Sequence, residues 1–132
     1  MLLNSTVSPT ESLGRYLLHR DYYSPARNSV KPQAFMPSPD LRLSVIRIDG
    51  LQLEEIWEIG QREVIDAMSQ SRELKGIADV KALKVQENDL GIEPDNIPSR
   101  HANIIGWPEE KEKQKIIAQE LAAEAKLVLN IL

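Results

Sequence analysis

The sharpest alternation of apolar and polar positions falls at Leu41–Ile48, where Leu41, Leu43, Val45 and Arg47 share one side of a two-residue period and Arg42, Ser44, Ile46 and Ile48 the other. Apolar, partly β-branched side chains on both sides predict a strand inside a sheet, ended by Asp49-Gly50. The period then lengthens. Leu53, Ile56, Trp57 and Val64 recur at helical spacing behind Glu54 and Glu55, which predicts a helix from about Leu53 to Met68, weakened at Gly60. Leu74–Val80 alternates loosely as a second strand, Ala82–Asp89 suits one or two helical turns, and Leu90–Glu93, stopped by Pro94, is a short third strand. His101–Ile105 is a fourth. After the turn at Gly106, Pro108 suits a first helical position, and Ile117, Leu121, Ala125, Val128 and Leu132 define one face of a closing helix that runs to about Asn130. These elements predict an α+β fold, a small mostly antiparallel sheet of about four strands covered by two main helices.

Ahead of them the pattern is different. Ser8-Pro9-Thr10-Glu11 has the residue types of a capping box, and Leu13, Tyr16, Leu17 and Arg20 share a helical face, so a helix to about Tyr22 is expected. An isolated helix of that length is marginal in water and has to dock on something. From Ser24 to Asp40 the prolines at 25, 32, 37 and 39 predict an extended linker with Phe35 and Met36 as anchors. Residues 1–39 hold four Lys or Arg against two acidic residues, whereas 40–132 hold twelve against eighteen. The chain therefore divides, on this expectation, into an N-terminal arm with a proline-rich linker (1–39) and a compact α+β domain (40–132).

Composition narrows the chemistry. With 132 residues, 42% apolar and 27% charged, the chain fits one globular domain. The absence of cysteine excludes disulfides, thiolate metal sites and cysteine nucleophiles. No run approaches the ~18 apolar residues of a membrane span and no basic-then-apolar leader is present, so a cytoplasmic protein without membrane contact is expected. A net charge of -4 argues against general nucleic-acid binding, although Arg15, Arg20, Arg27 and Lys31 give the arm a basic character.

His101 is the first catalytic candidate, because imidazole titrates near neutral pH. Arg100 is placed to hold an anion, and Asn103 lies on the same side of the strand as His101. Arg42 and Arg47 fall on opposite faces of their strand, so one is sheltered and needs an anionic ligand or a carboxylate such as Glu55 or Asp79. Asp79 is the one carboxylate inside a predicted strand. With Glu87, Asp89, Glu93 and Asp95 it has the residue types of a metal-dependent nuclease, but their spread over predicted loops suits solvation. His19 shares no local spacing with His101, so neither metal nor cofactor is expected. The glycines form no phosphate cradle and there is no serine-centred nucleophile elbow. Trp107, between glycine and proline, packs under the last helix or serves as an exposed anchor.

The blocks Leu43-Ser-Val-Ile-Arg47, Glu55-Ile-Trp-Glu-Ile-Gly60 and His101-Ala-Asn-Ile-Ile-Gly-Trp-Pro108 resemble those of a group of small bacterial proteins with no assigned activity. The resemblance spans roughly 30–132 and implies a single-domain body and a bacterial source. Two functions are expected. The first is an interaction or accessory module of a protein assembly, binding a protein partner or a second copy through Leu13, Tyr16, Leu17 and Trp107. The alternative is a small hydrolase or nuclease-like enzyme using His101 with Arg47, Arg100, Asp79 and Asn103. Nucleic-acid contact through the basic arm is a weaker third.

Overall fold

The computed structural model describes residues 6–68, 72–97 and 99–131. In chain order the elements are β1 (Ser12–Leu17), β2 (Tyr23–Ser24), β3 (Ser29–Val30), β4 (Leu43–Arg47), α1 (Leu53–Gly60), β5 (Gly76–Lys81), α2 (Ala82–Glu87), β6 (Gly91–Pro94), β7 (His101–Ile105), α3 (Lys111–Glu124) and β8 (Lys126–Leu129). Short 3-10 turns at Arg20–Tyr22 and Pro32–Phe35 and a π-helical turn at Gln61–Ile65 link them. The fold is α+β. Among the described residues, six strands in the order β6-β7-β4-β1-β5-β8 form one antiparallel sheet, rather than about four, and β2 with β3 makes a small separate hairpin. Three α-helices cover the sheet, and no helix among the described residues is long and apolar enough to cross a membrane.

The two extra strands correct two expectations. Ser12–Leu17 is not helical: it is a central strand, paired with β5 from Ser12–Lys81 to Leu17–Gly76 and with β4 at Leu13–Arg47 and Gly14–Ile46. The local turn signal was sound, since Glu11 N–H bonds to Ser8 O at 3.0 Å and Ser8 N–H to Glu11 Oε2 at 3.3 Å. It caps no helix because the Glu11 carboxylate is engaged by Arg47, and Leu13 and Leu17, four apart, also share a strand face. Ser12–Leu17, expected in the N-terminal arm, is thus part of the main sheet. Leu13 and Leu17 are fully buried, and Tyr16 donates its hydroxyl to Ile56 O at 2.6 Å. The second correction is at the other end. The last helix begins at Lys111, three residues after Pro108, and stops at Glu124, where Ala125 turns extended (ψ 144°) and Lys126–Leu129 pairs with β5.

Alternation splits the core in two. Leu13, Leu17, Leu43, Val45, Ala78, Val80, Ala102 and Ile104 face one side, where Ala118 and Leu121 of α3, Val85 of α2 and the 3-10 turn residues Ala34 and Phe35 close over them. Phe35 is thus the anchor expected of the proline-rich stretch. Ile46, Ile48 and Ile77 face the other side, under Ile56 and Trp57 of α1. A capping box of Gln52 with Glu55 starts α1, with Gln52 N–H bonded to Glu55 Oε1 at 3.1 Å. At Gly60 the helical backbone runs on into the π turn, and a Cβ there would lie 2.7 Å from Tyr16 Cε1.

Gly76 is the tightest backbone approach in the sheet: a Cβ there would sit 2.6 Å from Val128 O and 3.2 Å from Leu129 Cα. Main chain cannot swing aside as a side chain can. Gly76→Ala is expected to cost about 1–3 kcal/mol by prying β8 from β5, seen as a lower urea midpoint and faster amide exchange at Leu127–Leu129.

A candidate active site where the central strands part

β1 and β4 stay paired only at one end. Past Gly14–Ile46 they diverge, so Ser44, which continued pairing would set opposite Tyr16, has a carbonyl without a strand partner. Arg15 fills the gap: its Nη1 donates to Ser44 O at 3.1 Å and its Nε to Ala34 O at 2.9 Å. Between the opened strands, the α1 side of the sheet and the π-helical turn lies a cavity of about 460 Å³. Its walls are chiefly apolar, from Tyr16, Leu18, Tyr22, Ile59, Val64 and Met68, and its polar edge includes Arg15, Ser44, Ser99 and His101. A π turn widens a helix at the expense of hydrogen-bond geometry and is often found beside functional sites. Here it brings Glu63 and Val64 to the cavity.

Sheet register builds the polar edge. His101 pairs with Ile46 and Asn103 with Ser44, so His101 and Ser44 are diagonal neighbours on the same face of adjacent strands. His101 Nε2 lies 3.1 Å from Ser44 Oγ, and its Nδ1 lies 2.8 Å from Asp95 Oδ1. Asp95 is brought there by the turn of the β6–β7 hairpin: the N–H groups of Asp95 and Asn96 both bond to His101 O, at 3.2 and 2.8 Å. Asn96 and Arg100 take the left-handed backbone region (φ 53° and 72°), a strained arrangement at both ends of the turn. Arg100 offsets that strain by donating from Nη1 to Arg47 O and Asp49 O at 3.0 and 3.1 Å, which ties the turn to β4.

Burial alone would raise the Asp95 carboxyl, but the hydrogen bonds from His101 and from Ile97 N–H, with the attraction of His101, outweigh it and hold the group below the usual carboxylate range. An ionised carboxylate only accepts, so Nδ1 carries the imidazole proton and Nε2 is left as the acceptor for the Ser44 hydroxyl. The order Asp95–His101–Ser44 is that of a carboxylate, a base and a nucleophile. His101 is sheltered, with 22% of its side chain exposed, and Asp95 is at the rim with 40%.

The residues expected around His101 do not gather. Arg47 points to the opposite face, where Nε and Nη2 grip Glu11 at 2.6 and 3.1 Å; the sheltered arginine's partner is thus Glu11, not Glu55 or Asp79. Asp79 lies on β5 opposite Gly14, away from this cavity. Arg100 supports the turn through main-chain bonds, and Asn103, buried between Ser44 and Glu93, does not line the cavity. Trp107 is buried with its indole donating to Ile104 O at 3.1 Å. Among the described residues no group of three or more acidic or histidine side chains is arranged to hold a metal ion. Ser44 escapes a sequence reading because a lone serine in an apolar strand carries no motif, and Arg15 stands out there only as one of the arm's basic residues, not as part of a site with His101. The chain matches no family model, no curated protein and no solved structure.

Proposed function

We propose that this protein is a small serine-dependent hydrolase that cleaves an activated carbonyl, an ester or thioester, by acyl transfer. The observation that supports it is the Asp95–His101–Ser44 chain of hydrogen bonds at the edge of an apolar cavity. Ser44 Oγ attacks the carbonyl carbon as its proton passes to His101 Nε2, and Asp95 holds the imidazole and stabilises its charged form. The proton then goes to the leaving group, and water, activated by the same imidazole, releases the acid and restores Ser44. An interaction role through the N-terminal segment has less to recommend it, because Leu13 and Leu17 present no free face.

A fluorophosphonate probe tests the proposal. The intact protein is expected to gain one adduct, mapped by peptide mass spectrometry to Ser44, and His101→Ala to lose it. Labelling at other serines alone, or equal labelling of Ser44 in His101→Ala, overturns it.

A further inference from the structure

The cavity holds a cation whose charge nothing in the catalytic chain uses. Arg15 begins on the α3 side of β1 beside Leu13 and Leu17, yet its guanidinium lies in the slot between β1 and β4. The contrast with Arg47 is instructive. Arg47 is buried against a carboxylate, whereas Arg15, among the described residues, hydrogen-bonds only to the neutral carbonyls of Ala34 and Ser44 and has the Tyr22 phenol, not a carboxylate, as its electrostatic neighbour. A guanidinium has five N–H donors, and these carbonyls take two of them. A sheltered cation bonded only to neutral acceptors is an unfavourable arrangement that an arriving anion relieves. Burial also lowers the Arg15 pKa, as expected where compensation is incomplete.

We propose that Arg15 is the anion anchor of this cavity, and that its ligand is an apolar monocarboxylic acid, the acyl half of the ester or thioester that Ser44 cleaves. This rests on the hydrolase assignment above for the link to Ser44, but not for the binding itself. The planar fork of the guanidinium matches a carboxylate. The walls at Leu18, Ile59, Val64 and Met68 accept a hydrocarbon body, and about 460 Å³ is in the range of small-ligand pockets. Glu63 at the same cavity is paired with Arg62 at 3.0 Å and Arg72 also lines the cavity, so it is the chiefly apolar walls that suit a singly charged carboxylate better than a phosphate dianion. Arg15 also bonds to the main-chain oxygen of the very residue whose hydroxyl meets His101, so an acid held by Arg15 lies beside Ser44, where a released acyl group would be.

Calorimetric titration of the full chain with octanoate, 1-octanol and octyl phosphate tests the anchor without any turnover. Octanoate is expected to bind at least about ten-fold more tightly than octanol, as charge-assisted hydrogen bonds imply, and Arg15→Gln to erase that preference. In case Arg15→Gln fails to fold, the Arg15 Nε–H resonance of the wild-type protein is followed by NMR: it is expected to shift with octanoate and not with octanol. Equal affinity for octanoate and octanol, a preference that survives Arg15→Gln, or tighter binding of octyl phosphate overturns the assignment. Octanoate binding without Ser44 labelling leaves the anchor standing and removes the hydrolase; labelling without octanoate binding does the reverse.

Discussion

Arg47→Met is expected to lower the unfolding free energy by about 3–5 kcal/mol, because it strands the Glu11 carboxylate inside the protein. Arg47 and Glu11 are 2% and 7% exposed, and they meet through two parallel bonds, Nε to Oε1 at 2.6 Å and Nη2 to Oε2 at 3.1 Å. The pair does more than neutralise charge. Glu11 precedes β1 and Arg47 ends β4, so their contact fixes the end at which the two central strands remain paired. Removing one partner leaves a desolvated charge that no flexible side chain can carry to water. Removing both, as in Glu11→Leu with Arg47→Met, takes away the desolvation penalty along with the attraction, and is expected to recover most of the loss. Urea unfolding of the two single variants and the double variant measures the cycle. A single-variant loss under about 1 kcal/mol would show that the pair is solvated after all.

His101→Ala is expected to slow hydrolysis of a short-chain p-nitrophenyl ester by about 10³-fold or more, since it removes the base for both halves of the reaction. Asp95→Asn is expected to act in the same direction but more mildly, about ten- to a hundred-fold. The reason is its position: with 40% of its side chain exposed, Asp95 shares the task of orienting the imidazole with water. Both substitutions lie in or beside the β6–β7 turn rather than in the core, so circular dichroism should report an intact fold. Ester hydrolysis at wild-type rates in folded His101→Ala would take the imidazole out of the mechanism.

Much of the scaffold was legible because period and burial agree there. Leu41–Ile48 contains β4, His101–Ile105 is β7, and Leu53–Met68 contains α1 and the π turn; Leu43, Val45, Ile46, Ile56, Trp57, Ala102 and Ile104 sit in the core, whereas Leu53, expected on the apolar face of α1, is half exposed. Errors arose where one pattern serves two geometries. Leu13 and Leu17 share a face in a helix and in a strand alike, and only pairing with β4 and β5 decides between them. Leu121, Ala125 and Val128 keep helical spacing across a boundary that neither glycine nor proline marks. The site was legible only in part. His101 stood out by its chemistry, but Ser44 and Asp95 reach it through register and hairpin closure, which are properties of the sheet and not of any short stretch.

The parting of β1 and β4 also divides the sheet into two leaves, β6-β7-β4 and β1-β5-β8. Followed from one end to the other, the chain alternates between the leaves, crossing the seam four times: β1 to β4, β4 to β5, β5 to β6 and β7 to β8. Neither leaf is therefore a contiguous stretch that can be excised and fold by itself. Each must be assembled from distant segments before it gains its packing, an order of events that makes loop closure, rather than local propensity, the slow part of folding.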